Sequence, residues 1–307
     1  MSHTSSSPSS PDSLPAAGSL DPSRKVGILG MGIIGRRVVD SCRRAGLEVV
    51  AWNRTRRREL DTLDTPADVA RRALVLQIFV TDDRALASVL DGLLPALTQD
   101  HVVLNCSTVS LEATQMASAS VATTGAAFLD APFTGSRNAA AAGELVYYIG
   151  GSAEVLSRVQ WALEPSAKAI VPLGEVGDAT IIKIATNLVS AVAVQALAEA
   201  LGMISAHGVD PEKFLSAMEH NANSSGLSRM KLPAMVAGTF DPHFSLKNMW
   251  KDAGFAERLA QTKGIELPAL AVARGRMGAL VGQGRGEEDF SVLASHYLPG
   301  KPVASDA

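Results

Sequence analysis

The sequence predicts an α/β protein: an N-terminal doubly wound, mainly parallel sheet, a long interdomain helix, and an all-α C-terminal domain. Three observations carry this. Up to about residue 173, short β-branched runs alternate with helical patterns. From Glu175 to Val209 no proline interrupts a segment dense in Ala, Leu, Ile and Val, and Gly208 lies near its end. Beyond it, strand-like runs nearly disappear. The expected boundaries are 24–175 for the sheet domain, 176–206 for the helix and 207–300 for the helical domain. A length of 307 residues suits about two domains, and 47% hydrophobic against 19% charged residues suffices for a sizeable core.

Composition narrows the function classes. A net charge of -3 argues against a general nucleic-acid surface. The two cysteines, Cys42 and Cys106, lack metal-ligand spacing and read as reduced thiols of a cytoplasmic protein. Residues 1–23 are rich in Ser and Pro, without an apolar core, Lys or Arg, and read as a disordered tail rather than a targeting segment. Within the long helix the uncharged stretch from Ile184 to Ala198 has 15 residues, where a membrane span needs about 20, so a buried helix outside any membrane is expected.

Taken in order, residues 25–29 form a strand that runs at once into Gly30-Met31-Gly32-Ile33-Ile34-Gly35. A helical pattern follows through Val38, Val39 and Cys42 to Ala45, is stopped by Gly46, and leads to a second strand at 48–52. GxGxxG in this strand–helix–strand frame predicts a Rossmann-type dinucleotide site. Gly30 makes the tight turn, Gly32 lets backbone approach a pyrophosphate, and Gly35 permits close helix–strand packing. The phosphates would lie at the helix N-terminus, where free N–H groups and the helix dipole favour negative charge. After the second strand, where an acid would select NAD(H), stand Asn53, Arg54 and Thr55. An acid there would repel a 2′-phosphate, whereas these groups would hold one by charge-assisted bonds, so NADP(H) is expected over NAD(H). Arg56 to Arg58 read in part as a solvated basic turn.

Further strands are expected at 73–80, 102–105, 127–130, 145–149 and 169–172, some of the later ones antiparallel, with helices clearest at 83–94, 111–122 and 153–163. Ligands in such sheets lie off the carboxyl ends of strands, which points to Phe79-Val80, Ser107-Thr108 and Pro132 to Ser136. Thr134-Gly135-Ser136 offers two hydroxyls and glycine-permitted N–H groups, which suits a small carboxylate and equally suits an ordinary turn. In the long helix, taken to run from Gly174 to about Ile204, Lys183 and Asn187 share one face within the apolar run. Burying an ammonium is costly; a proton donor beside a nicotinamide accounts for it, and an interdomain salt-bridge lysine with no catalytic role is the alternative. The remaining helices are expected at 210–220, 228–236, 246–262, 268–282 and 289–296, the first opened by Asp210-Pro211. His207, His220 and His243 have no ligand spacing, so no metal site is expected.

With the glycine fingerprint, Asn53-Arg54-Thr55, Ser107-Thr108, Asp130-Ala131-Pro132 and Lys183-x-x-x-Asn187 in order, the chain resembles the β-hydroxyacid dehydrogenase family, 3-hydroxyisobutyrate dehydrogenase-like. The resemblance spans roughly Lys25 to Tyr297. Ala131 to Ser136, Ala140 to Leu145, Leu173 to Gly177, Phe244 to Lys247 with Lys251-Asp252, and Asp289 to Ser291 look most like its glyoxylate/succinic semialdehyde reductase branch. The resemblance implies Lys183 as catalytic lysine, Asn187 as substrate-orienting amide, and Thr134, Gly135 and Ser136 as the carboxylate turn, with Phe244 on the substrate side. It further implies Thr108 and Lys251 near the nicotinamide and its ribose, Phe79-Val80 as groove wall, and homodimers or homotetramers with interlocking helical domains. Phe133-Thr134 stands where Val-Ser is usual, Thr186 replaces a common asparagine, and Trp250 is bulky enough to line the substrate side. The expected function is an NADPH-dependent reductase of short oxo acids or semialdehydes, in reverse a 3-hydroxyacid dehydrogenase, with a small carboxylate-bearing carbonyl compound as substrate. An imine reductase, which commonly has Asp or Tyr in place of Lys183, and a non-catalytic NADP-binding assembly module, which lacks the lysine, are the alternatives; Lys183 counts against both. For Lys251-Asp252 the alternative is an exposed ion pair on a helix.

Overall fold

The computed structural model describes residues 24–56 and 61–298. The Ser/Pro-rich segment 1–23, Arg57 and Arg58 lie outside them.

The first half alternates as expected: β1 (Lys25–Leu29), α1 (Ile33–Arg44), β2 (Glu48–Trp52), α2 (Pro66–Ala70), β3 (Val75–Ile78), α3 (Asp83–Leu93), β4 (Val102–Asn105), α4 (Leu111–Ala122) and β5 (Ala127–Asp130). There follow β6 (Phe133–Thr134), α5 (Arg137–Ala142), β7 (Leu145–Gly150), α6 (Ala153–Val159) and β8 (Ala167–Gly174). The sheet order is β2-β1-β3-β4-β5-β7-β6, with β8 paired to β7. Strands β1 to β5 are parallel, β7 is antiparallel to β5 and β6, and β8 is parallel to β7. Every residue of β3 and β4 is buried, as a sheet covered on both faces requires. Because β1 is flanked by β2 on one side and β3 on the other, a crevice opens at their carboxyl ends, next to the glycine turn.

Two expectations need correction here. Residues 133–134, read as part of a turn, form β6, because their backbone pairs with Val146 and Tyr147 of β7. The helix expected at 153–163 ends at Val159 and continues as short 3-10 turns, where Pro165 follows.

The second half contains α7 (Asp178–Ala206), α8 (Pro211–Glu219), α9 (Gly226–Ala237), α10 (Leu246–Gln261) and α11 (Pro268–Gly282), then a 3-10 segment, Phe290–His296, in place of the expected last helix. Helix α7 starts four residues later than the Gly174 start expected, since Gly174 and Gly177 adopt φ +117° and +104°, a left-handed region no helix contains. Its inner face builds the second core: Ile184, Ala191, Val194, Ala198 and Leu201 pack with residues of α9, α10 and α11. The expectation of a buried helix holds only in part. By length and composition α7 could cross a membrane, only 33% of its most apolar window is buried within one chain, and Val189 and Met203 are 65% and 62% exposed.

A buried ion pair ties this half together. Lys231 of α9 donates to both oxygens of Asp289, at 2.7 and 2.8 Å, under the ring of Phe290. The same carboxylate accepts from the backbone N–H groups of His243, Phe244 and Ser291 at 3.0, 3.1 and 3.0 Å.

Candidate active site

Among the described helices of the sheet domain, α2 to α6 each start on a capping side chain (Thr65, Asp82, Ser110, Ser136 and Ser152), and α1 does not. Its N-cap is Gly32, with no side-chain hydrogen bond and no acid in the first turn. A Cβ at Gly32 would meet nothing within 4 Å, whereas one at Gly30 would lie 2.0 Å from the Phe79 carbonyl oxygen and one at Gly35 1.9 Å from that of Gly30. The turn is thus pressed onto β3 behind and open in front. Unclaimed N–H groups at a dipole's positive end, facing space, fit the pyrophosphate of a dinucleotide. Met31 is buried and Ile34 packs on the sheet core, leaving Ile33 at the open face.

Asn53 has a bracing task besides the one expected. Its Oδ1 accepts from Met31 N–H at 2.9 Å and its Nδ2 donates to the Thr55 carbonyl at 2.7 Å, so its side chain braces the glycine turn against the basic turn. Arg56 is paired with Asp64. Arg54 and Thr55 are exposed beside the groove. The Asp82 carboxyl, pushed up by partial burial, is nonetheless held below its usual range by Ala85 N–H, the Thr81 hydroxyl and the charges of Lys251 and Arg54.

The groove wall is built by Ser107, a residue to which no role was given. Its Oγ accepts from Val80 N–H at 2.9 Å and donates to the Ile78 carbonyl at 3.1 Å, fixing the end of β3 to that of β4. The Phe79 ring stands 6.0 Å from that of Phe133, which stands 6.1 Å from Tyr147. Phe133, where valine is usual, therefore couples the wall to the Thr134–Ser136 turn. Gly135 has φ +138°, and Ser136 Oγ accepts from Ala139 N–H at 3.3 Å as the cap of α5. Its hydroxyl proton stays available for a ligand.

From the other side, Lys251 of α10 donates to the Thr108 carbonyl at 2.8 Å and pairs with Asp252 at 2.6 Å. Asp252 is 1% exposed, so the exposed ion-pair reading is wrong: α10 turns Met249, Asp252, Ala253 and Ala256 inward together. Asp252 Oδ2 accepts from Asn187 Nδ2 at 2.6 Å. A continuous polar chain therefore runs Thr108–Lys251–Asp252–Asn187 from the sheet domain to α7. One turn before Asn187, Lys183 is 8% exposed. Burial lowers its pKa to about 8, with Asp252 pulling it up and Lys251 pushing it down. An amine poised there can hold or release a proton near neutrality.

Trp250 lies against α11, its ring under the Arg274 guanidinium at 5.3 Å and its Nε1 3.1 Å from where a Cβ of Gly278 would be, and it lines an open cleft together with Lys251, Asp82 and Arg258. Phe244 packs its ring on Phe290 at 6.1 Å in the helical core. The role of Asp252 predicts its own test. Asp252→Asn is expected to move the alkaline limb of any step that uses the Lys183 proton to lower pH, since the charge that raises the Lys183 pKa is gone. It should also cost about ten-fold in kcat, as Asn187 exchanges a charged acceptor for a neutral amide oxygen.

Residues 25–174 match the family described as the NAD binding domain of 6-phosphogluconate dehydrogenase, and 177–297 that described as NAD-binding of NADP-dependent 3-hydroxyisobutyrate dehydrogenase. The chain is 26% identical to glyoxylate/succinic semialdehyde reductase 2 of Arabidopsis thaliana, over 87% of this chain and 78% of the relative. It is 28% identical to L-threonate dehydrogenase of Cupriavidus necator, over 91% and 99%. Its fold is that of a 3-hydroxyisobutyrate dehydrogenase from Salmonella typhimurium, with a TM-score of 0.80 at 24% identity, covering 89% of this chain and 100% of the other.

Proposed function

Since the chain belongs to the 3-hydroxyisobutyrate dehydrogenase-like β-hydroxyacid dehydrogenases, oxidoreductases of hydroxyl and carbonyl groups, we propose that it reduces short 2-oxo acids or semialdehydes with NADPH and, in reverse, oxidises the corresponding hydroxy acids, 3-hydroxy acids among them. The observation that carries this reading is a buried lysine with a pKa lowered to about 8 at the end of a polar chain joining both domains. The cofactor supplies the hydride. Lys183 gives its proton to the carbonyl oxygen as negative charge develops there, and takes it back in the oxidative direction. Asn187, its amide held by Asp252, keeps a second N–H for the same oxygen. Thr134, Gly135 and Ser136 take the substrate carboxylate through hydroxyl and backbone donors. Gly30 to Gly35 hold the pyrophosphate, Phe79 and Val80 wall the groove, and Thr108 and Lys251 close over the nicotinamide ribose.

A solution assay separates this from its competitors: NADPH absorbance is followed with glyoxylate, succinic semialdehyde and a cyclic imine. The reading expects oxidation with an oxo acid or semialdehyde. Oxidation with the imine alone would make the protein an imine reductase, and cofactor binding without turnover an assembly module. NADP(H) preference rests on Arg54. Arg54→Ala is expected to weaken NADPH binding by about 10- to 100-fold and NADH binding by about two-fold or less, since only NADPH carries the extra phosphate. Equal losses would remove Arg54 from the phosphate site.

The reading places the enzyme in the cytoplasm as a homodimer or homotetramer. The apolar groove of Leu188, Val189 and Val192 against Leu267 and Pro268 is a surface that a second copy would cover.

A further inference from the structure

Helix α7 begins without a cap of its own. Its N-cap residue, Gly177, has φ +104° and no side chain to receive the free N–H groups of the first turn. A carboxylate from another element does so. Asp130, the last residue of β5, accepts with Oδ2 from Gly177 N–H at 3.2 Å and Thr180 N–H at 2.8 Å, and with Oδ1 from the Thr180 hydroxyl at 2.8 Å. Thr180 Oγ1 in turn lies 2.9 Å from Thr114 Oγ1 of α4. Asp130, Thr114 and Thr180 are all buried, so β5, α4 and α7 meet in one enclosed polar knot. Two further contacts fix the entry into the helix: Asp178 Oδ2 accepts from Glu175 N–H at 2.9 Å, and a Cβ at Gly150 would lie 2.4 Å from the Glu175 carbonyl oxygen.

Lys183 comes three residues after Thr180, on the same side of the next turn. A helix is stiff over so short a length, so the direction of Lys183 follows that of the first turn. A slip of one residue at the cap would rotate every side chain by about 100° and shift it by about 1.5 Å. The geometry points to Asp130 as a positioning residue of the reaction: a helix cap supplied in trans, which sets the rotation of α7 and so aims Lys183 at the cofactor groove. This rests on Lys183 being the proton donor. Asp130 acts only through α7.

The knot tolerates a proton. Burial pushes the Asp130 carboxyl up to about 6, against the hydrogen bonds from Thr180 and Gly177. Protonated, it donates to the Thr180 hydroxyl, which turns its own hydrogen toward Thr114. An amide can copy that arrangement, with its carbonyl accepting the two backbone N–H groups and its NH2 facing the Thr180 hydroxyl. Alanine cannot.

That difference supplies the test, with kcat counted per NADPH-binding site so that unfolded protein drops out. Asp130→Ala is expected to lower kcat by about 100-fold, the cost of a misplacement near 1 Å, with KM for NADPH within about two-fold. Asp130→Asn should stay within about five-fold of wild type, as loss of one ordinary hydrogen bond would allow. Thr180→Val, which loses only the hydroxyl bonds, should fall between them and takes over as the test if the alanine variant does not fold. In the crippled variant the Lys183 titration, followed at its ε-carbon by NMR, should move up from about 8 as the amine leaves its buried site. A wild-type kcat per site in Asp130→Ala, or an unmoved Lys183 titration, overturns the inference. Should the wild-type enzyme reduce no oxo acid or semialdehyde, the reductase reading fails, and the Lys183 titration alone then decides whether Asp130 aims the amine.

Discussion

Lys183→Ala is expected to lower kcat for carbonyl reduction by about three orders of magnitude while the Kd for NADPH stays within about two-fold. The reason is geometric and electrostatic together. Hydride arrival leaves negative charge on the carbonyl oxygen, and the buried amine of α7 is the group poised to neutralise it. Nothing in the glycine turn or the basic turn depends on that side chain, so cofactor affinity should survive its loss. Stopped-flow binding and steady-state turnover on the same preparation check both halves of the statement. A variant that binds NADPH normally and turns over at the wild-type rate would leave Lys183 a structural residue.

Breaking the Lys231–Asp289 pair is expected to destabilise the helical domain by about 3–5 kcal/mol, because either single replacement leaves a buried charge without its partner. The two directions are unequal. Lys231→Met leaves Asp289 with three backbone N–H donors, whereas Asp289→Ala strands the ammonium and those donors together, so the second should be the worse. Burial pushes the Asp289 carboxyl up, but Lys231 and the N–H groups hold it below the usual range. Its contribution is therefore full above the ordinary carboxylate pKa of about 4 and is lost as pH falls through the lower folded value. Urea unfolding followed by the fluorescence of Trp250, which packs on the same core, reads the change. Losses below about 1 kcal/mol in both variants would show that the pair is only a surface-like contact.

Much of this site could be read from the sequence because its chemistry is locally encoded. GxGxxG between two strands, and Lys183 one turn from Asn187 in an apolar run, carry their meaning in spacing alone. What could not be read are partners distant in the chain. Asp252 meets Asn187 across 65 residues and Asp130 meets Thr180 across 50, and neither separation has a period to detect. A weaker signal existed for Asp252: Met249, Ala253 and Ala256 beside it follow the spacing of a buried helical face. The start of α7 was misplaced because Gly174 and Gly177 are compatible with a helix in composition but occupy left-handed backbone. The bracing role of Asn53 is likewise silent in the sequence, since its bond to Met31 N–H spans 22 residues.

The most direct test of the central claim is the pH dependence of kcat/KM for reduction at saturating NADPH. With the amine of Lys183 titrating at about 8, reduction should decline above that pH as the proton is lost, and oxidation of the hydroxy acid should rise through the same value. A break near 10.5, the ordinary value for lysine, or profiles that run flat through pH 8 in both directions, would contradict it.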